Sequence, residues 1–512
     1  MPSSDNATAA PRPGVTRVAR PSSGGPFSGR KVAQSAVWRF VETAGGEAVA
    51  LLIFVVLARL LLPEHFGVVA LAGVLVAGAQ IGVHFGMTEA IIQGDGPTEA
   101  RLASAFWWNV AVGVALAATL ALVAWPAAAL FGEPALAPVL AALGLTLPIA
   151  AAAAILQARF VRRLAFKVVA MRVLGANLVG GVVGIALAAA GAGVWALVGQ
   201  QLANMSTALV VLIVADPWRP KPVVDRAELR ALIRFALPTV GTQLSRFAGK
   251  KLDVPMLALF LPAAAIGHYF LATRLIFALA MATCYTIASI TLPVLSRLRD
   301  DLPAFREATV RTFWLTSALC LPAGLGLALI AEPLVSGVFG GRWAPSILPV
   351  QLLAGFSIFY ALGVTAGQVM IAAGMPGLLL RLTLINTATF LLVVAIAAPF
   401  GLAAVALAGG LVNLLMLPAY LVAVRWTCRL DLAALVRAQL PIWLAAAVMC
   451  LAVLLVDGHV GLDLATPWRL GLAIATGLGS YAAALALLAH RPLQALVASM
   501  RPDDPGAAAE LR

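Results

Sequence analysis

Apolar runs of about 20 residues recur from one end of the chain to the other, each long enough for a helix to cross the hydrocarbon core of a bilayer. Fourteen are read, at approximately residues 38–62, 66–86, 105–130, 135–158, 168–190, 193–215, 235–261, 264–292, 308–331, 346–373, 377–399, 401–424, 438–457 and 467–489. The polar breaks between them are short; Leu62 to Phe66 and Leu261 to Ala264 leave room only for tight antiparallel neighbours. No break between spans exceeds about 20 residues, so no catalytic domain fits outside the membrane. The expected fold is an all-α polytopic membrane protein.

One run departs from this pattern. The stretch RFAGKKLDVPM places Arg246, Lys250, Lys251 and Asp253 near the middle of the seventh span. At 100° per residue, Thr239, Gln243, Arg246, Lys250 and Asp253 fall on one stripe, with Lys251 beside it. Each charge at a helix centre costs about 2.5–3.5 kcal/mol on insertion, against roughly 0.3–0.6 gained per large aliphatic residue, so this stripe must face protein or a water-filled cavity. The first span carries Arg39, Glu42, Thr43, Gly46 and Glu47 on one arc, the second Gln80 and His84 one turn apart, and the eighth Arg274. A cavity lined by the first, second, seventh and eighth spans would collect most of these groups. Two readings compete. The charges bind something that enters, or they pair as static glue between helices. For His84 a satisfied structural histidine is the competing reading. For Asn109, Asn177, Asn204, Gln368, Asn386 and Asn413 interhelical hydrogen bonding is favoured.

Composition agrees with the pattern. Of 512 residues 62% are hydrophobic and 11% charged, and the mean hydropathy is +0.98, too apolar for a soluble domain of this size. Charge then sets the topology. With the N-terminus inside, 27 of the 35 Lys and Arg residues fall in cytoplasmic segments and three (Arg59, Arg342, Arg469) outside, which predicts both termini in the cytoplasm of a multi-pass inner-membrane protein. The net charge of +13 is read as a topology signal with some attraction to membrane lipid, not as nucleic-acid binding, because the basic residues are dispersed over the loops. Residues 1–32 read as a disordered basic cytoplasmic tail with no signal peptide, and 491–512 as a second cytoplasmic tail. The four cysteines form no CxxC pair, so neither a disulfide nor a metal site is expected.

The chain also repeats. VVLARLLLPEHFGVVALA and MLALFLPAAAIGHYFLAT both end a first helix on Leu-Pro (Leu62-Pro63, Leu261-Pro262), reach a glycine shortly after (Gly67, Gly267) and open a second helix with bulky residues. Their first helices both start with Arg-Phe (Arg39-Phe40, Arg234-Phe235). The domain reading follows: an N-terminal six-helix lobe over 33–215, a cytoplasmic amphipathic linker over 216–234, a C-terminal six-helix lobe over 235–425, and two additional helices over 426–490. In the linker, Asp225 and Glu228 read as a capping pair, with Leu229, Leu232 and Ile233 lying on the membrane surface. Duplicated transporters hold their substrate between the repeats near the midplane.

Catalytic signatures are absent: no HExxH, GxSxG or SxxK occurs, and Gly249-Lys250 lacks the glycine and the hydroxyl residue of a P-loop, Leu244 and Lys251 standing there. The chain reads as a transporter and not an enzyme, without a cofactor, drawing on membrane potential, product removal or an H+ or Na+ gradient. Cationic cavity residues favour an anion such as a phosphate.

The segments VVLARLLLPEHFGVVALAGVLVAGAQIGVHFGMTEAIIQ, RFALPTVGTQLSRFAGKKLDVPMLALFLPAAAIGHYFLATRL and LPVLSRLRDD resemble the polysaccharide transporter family, the Wzx-type lipid-linked oligosaccharide flippases of the multidrug/oligosaccharidyl-lipid/polysaccharide exporter superfamily. The resemblance runs through the twelfth span; the Pro-rich N-terminal tail departs from it. It implies a MATE-like V-shaped fold of about 14 helices and transfer of undecaprenyl-diphosphate-linked repeat units from inner to outer leaflet, for exopolysaccharide, capsule or O-antigen. A polymerase and a chain-length regulator of the same pathway are the implied partners. On this reading Arg246, Lys250, Lys251, Arg274 and Arg39 meet the diphosphate of a polyprenyl-diphosphate-linked oligosaccharide. Asp253, Glu42 and Glu47 balance charge or couple to an ion, and Gln80, His84 and Gln243 add polar lining. The rival readings are a MATE-type multidrug or cation antiporter, whose cavity should be acidic, and a membrane-embedded polymerase or ligase, which needs a large outer loop.

Overall fold

The structure is a computed structural model and describes residues 37–39, 41–83, 88, 91, 98–163, 165–230, 233, 247, 251–459 and 466–489. Helices make up nearly all of these residues, and no strand occurs among them. Among the described residues 13 helices are long and apolar enough to cross a bilayer. The span expected at 235–261 lies largely outside them; Phe247 and the residues from Lys251 onward are what the structure describes there.

The first half is built from α1 (Gly46–Leu60, entered through a π-turn at Val41–Gly45), α2 (Pro63–Val83), α3 (Glu99–Phe131), α4 (Leu136–Gly144), α5 (Thr146–Arg162), α6 (Phe166–Ala189) and α7 (Val194–Ala215). The second half holds α8 (Asp253–Ala258), α9 (Ala263–Ala282), α10 (Cys284–Arg297), α11 (Leu302–Leu329), α12 (Ile347–Ala372), α13 (Pro376–Ala397) and α14 (Leu402–Cys428). Then follow α15 (Leu432–His459) and α16 (Thr466–Leu488), which pack on each other, with α15 against α11. Each half has its own buried core, one around Leu71, Leu140 and Leu147, the other around Phe313, Leu321 and Tyr420. Large apolar side chains on the periphery, such as Leu122, Trp125, Val214 and Leu487, are left uncovered, as a lipid-facing surface requires.

Two element boundaries differ from the sequence reading. The third span begins at Glu99 rather than 105, because Thr98 is an N-cap whose hydroxyl accepts the Arg101 N–H at 3.1 Å, carrying the helix beyond its apolar run. The eighth is broken at Thr283 (φ −114°, ψ −78°) into α9 and α10; the Thr283 hydroxyl donates back to the Leu279 carbonyl at 2.8 Å, competing with the helical ladder.

The segment after α7 is docked on the first half. Leu229 and Ile233 pack, partly buried, on Ile91, Leu102 and Ile155 of the first half; Leu232 is outside the described residues. The docking is polar as well. Trp107 donates its indole N–H to the Lys221 carbonyl at 2.9 Å, and the Asp225 N–H donates to the Ser104 hydroxyl at 2.8 Å. Asp225 does cap the following turn, accepting from the Ala227 N–H at 2.8 Å, whereas Glu228 turns to Thr98 and Arg101. Upstream, buried Asp216 accepts from Arg159 at 2.7 Å and from the Trp218 N–H at 3.1 Å, while the Arg159 guanidinium lies 4.5 Å over the Trp218 ring. Burial pushes the Asp216 carboxyl up, but the bonds from Arg159 and Trp218 and the charges of Arg159 and Arg163 together hold it below its ordinary value.

Candidate functional site

The two halves meet through α2 and α9, through α8 against α2, and where the end of α1 touches the turn at Val335–Phe339. All three contacts gather toward one end of the bundle. Phe54 and Phe66 stand edge to face at 5.4 Å, and Phe270, Phe339 and Trp343 complete an aromatic plug between the halves. Trp343 is fully buried and donates its indole N–H to the Ala58 carbonyl at 2.9 Å. Arg59 reaches across with its Nε to the Val338 carbonyl at 2.6 Å and with its guanidinium to the Gly337 carbonyl. These bonds satisfy carbonyls at the loosened end of α1 and at the turn, so they fasten one half to the other where helical bonding has run out.

Behind the plug lies a cavity of about 600 Å³. Phe54, Leu57, Phe66 and Phe270 form its closed end, Val69, Gly73 and Val74 of α2 one wall, and Thr273, Arg274 and Phe277 of α9 another. Lys251 and Asp253 also line it. Arg274 is 11 residues into α9 and Glu47 is 13 before the end of α1. At 1.5 Å per residue both lie about 16–20 Å from the plugged end, near the bilayer midplane. There they form an ion pair of 2.9 Å that crosses between the halves. Asp253 accepts a hydrogen bond of 3.0 Å from the Tyr269 hydroxyl within the second half.

The predicted site residues thus divide. Lys251, Asp253 and Arg274 come together on the cavity, and Glu47 joins them as the partner of Arg274. Arg39 and Glu42 do not; they pair with each other at 3.1 Å at the far end of the first span, where Arg39 stacks over Phe166 at 5.4 Å. Gln80 lies on α2 without lining the cavity. Arg246, Lys250, Gln243 and His84 are outside the described residues. Of the amides, Asn204 donates to Asn177 at 2.8 Å and Asn177 to the Gly46 carbonyl at 2.9 Å, tying α7, α6 and the start of α1 together. Asn413 instead bonds its own helix at the Gly409 carbonyl.

The sequence reading missed Gln200 and Gln201 of α7 and Thr273 of α9, all on the cavity wall. The signal was there: adjacent glutamines inside an apolar span, one turn before Asn204. A second cavity, of about 300 Å³, sits within the second half behind Thr273 and Phe277, lined among others by Tyr285, Tyr360, Asn386 and Asn413. Its Tyr285 and Tyr360 hydroxyls are 2.7 Å apart.

Comparison with known proteins places this architecture. The family model for the polysaccharide biosynthesis protein family matches residues 56–348. Succinoglycan biosynthesis transport protein ExoT of Rhizobium meliloti (strain 1021) is 25% identical over 325 residues, 64% of this chain and 66% of that protein, so the match spans just under two thirds of that relative. Lipopolysaccharide biosynthesis protein WzxC of Escherichia coli (strain K12) is 23% identical over 368 residues, 70% of this chain and 74% of that protein. Among solved structures, lipid II flippase MurJ in an inward closed conformation superposes with a TM-score of 0.71 at 14% identity, covering 89% of this chain and 98% of that one. An inward-facing multidrug resistance MATE family transporter of the MOP superfamily gives 0.56 at 16% identity, covering 79% and 99%. At such identities the structural likeness is one of fold, and it is the all-α, MATE-like membrane fold expected above. The sequence match spans more than half of the chain, and this protein belongs to the polysaccharide biosynthesis protein family.

Proposed function

We propose that this protein is a flippase that carries undecaprenyl-diphosphate-linked oligosaccharide repeat units from the inner to the outer leaflet, by alternating access, for surface polysaccharide biosynthesis. The observation that carries the reading is the Arg274–Glu47 pair, 2.9 Å long, at mid-depth on the wall of a cavity between two halves of the chain. A guanidinium there is costly unless it faces protein or water, and it offers paired donors matched to a diphosphate. The names of the relatives, transport and biosynthesis proteins of succinoglycan and lipopolysaccharide, support the same cargo class. The lysine and arginine bias puts the plugged end outside, so the cavity is read as open toward the cytoplasm, where lipid-linked units are assembled. An incoming diphosphate competes with Glu47 for Arg274. Removing that bond between the halves favours the alternate state, since cargo and carboxylate contact the two states differently. Apolar helices around the cavity leave the polyprenyl chain in lipid.

Deleting the gene should abolish surface polysaccharide and accumulate lipid-linked repeat units in the inner leaflet. Restoring the natural gene should reverse both, and Arg274→Ala, inserted at normal levels, should reverse neither. Full export by Arg274→Ala would refute the proposed role.

A further inference from the structure

The charged pole of the cavity, Lys251, Asp253 and Arg274, is carried by the second half of the chain. The wall contributed by α7 is of another kind. Gln200 and Gln201 line it side by side, and among the described residues neither has a hydrogen-bond or ion-pair partner. An amide with nothing to bond is expensive away from water, so two of them side by side in a membrane-spanning helix need an occupant of the cavity, solvent or ligand. Leu197, Gln200, Gln201 and Asn204 share one stripe of α7, and Asn204 is already engaged by Asn177. The glutamines are what remains of that stripe's polarity.

Their position is set by bare backbone behind them. Gly180 and Gly184 of α6 are one turn apart, and a Cβ on Gly180 would stand 2.8 Å from the Gln200 carbonyl oxygen. A Cβ on Gly184 would stand 2.8 Å from the Gln200 Cβ. Close seating of α7 on these glycines fixes where the amides emerge, the arrangement that small residues four apart give to packed membrane helices. A group held on a rigid helix is suited to selecting among ligands.

We infer that Gln200 and Gln201 read the carbohydrate portion of the cargo, hydrogen-bonding sugar hydroxyls while Arg274 holds the diphosphate. This rests on the cargo class proposed above. The chemistry fits: each side-chain amide offers two donors and an acceptor without charge, as vicinal hydroxyls require, whereas a diphosphate asks for cations. Charge recognition and sugar recognition are thereby divided between the two halves, so only a cargo bearing both groups spans the cavity. A site that bonds a hydroxyl discriminates strongly against a ligand lacking it, because its own polar groups are then left unpaired.

The test uses the full-length protein in lipid nanodiscs and two probes: undecaprenyl diphosphate, and the lipid-linked glycan extracted from source cells deleted for this gene. The variant Gln200→Met with Gln201→Met keeps side-chain length and favours insertion. It should bind the glycan-bearing lipid about tenfold more weakly and undecaprenyl diphosphate within twofold of the natural protein. Arg274→Ala should weaken both. Equal loss for both probes in the glutamine variant, or no loss for either, overturns the inference while leaving the diphosphate reading intact. Failure of the natural protein to bind either probe overturns that reading instead. Gly184→Ala, which keeps both amides but shifts them, should weaken glycan binding without weakening undecaprenyl diphosphate binding; an unchanged glycan affinity there also counts against the inference.

Discussion

Gly67 and Gly267 seat the two halves of the chain on each other by reciprocal contact. A Cβ on Gly67 would collide with the Ala263 carbonyl oxygen, and one on Gly267 with the Pro63 carbonyl oxygen. Glycine and carbonyl are four residues apart in both helices, so the same patch is used by both partners, as in a two-fold interface. Only residues without a side chain let backbones come this close. Gly67→Ala should push α2 and α9 apart, since the new methyl meets main chain and not a yielding side chain. A cysteine placed at Val69 on the cavity wall should then react faster with an impermeant maleimide supplied from the plugged side. An unchanged labelling rate would show that the contact does not hold this end shut.

Trp343 carries the second closure. Replacing it with alanine removes the plug's centre and the bond to Ala58, a loss of about 3–5 kcal/mol in a packed core. Trp343→Phe keeps the ring and loses the indole N–H, and should cost about 1 kcal/mol. Thermal unfolding in detergent should rank the natural protein, Trp343→Phe and Trp343→Ala in that order, and the maleimide assay should show opening in the reverse order.

The Glu47–Arg274 pair lends itself to a double-mutant cycle. Both side chains are partly solvated (37% and 22% exposed), so the coupling measured by unfolding should be about 1 kcal/mol or less. Transport should respond very differently: Arg274→Ala abolishes it, whereas Glu47→Gln preserves binding of undecaprenyl diphosphate and loosens the link between the halves. A glutamine variant that loses binding as completely as Arg274→Ala would show that Glu47 does more than balance charge.

Asp216 should matter for stability and not for transport selectivity. Asp216→Ala strands Arg159 and frees the segment that joins the halves, at a cost of about 3 kcal/mol. Its folded-state value lies below the reference 3.8, so its contribution is fully present above that reference and is lost as pH falls through the lower folded value. The difference in melting temperature between the natural protein and Asp216→Asn should therefore hold constant from pH 8 to about 5 and shrink only on stronger acidification. A difference that vanishes near neutrality would contradict this pairing.

Particular residues show how far a linear reading reaches. Leu-Pro followed by glycine, repeated about 200 residues apart, marked the two helix starts that meet at Gly67 and Gly267, yet nothing in the order of residues said that each glycine would face the other helix's carbonyl. Arg274 and Glu47 were both candidates, and neither spacing nor composition paired them, because the partners are 227 positions apart. Arg39 and Glu42 share an arc of the same helix with Glu47 but find each other at its far end, away from the cavity. Leu229 and Ile233 carried the amphipathic pattern; that they pack on Ile91, Leu102 and Ile155 of the first half is something the pattern alone does not specify.

The sequence by itself determined that this protein is a set of apolar helices, where most of them start and stop, and that ionic groups lie inside some of them, because insertion into hydrocarbon is decided by local length, hydropathy and capping. Only the tertiary structure decided which charges face one another, that α7 turns a pair of glutamines to the cavity, and which end is shut. Those outcomes depend on how helices distant in the chain pack. In lipid no difference in hydrophobicity guides that packing; close fit of small residues and satisfaction of polar groups select it.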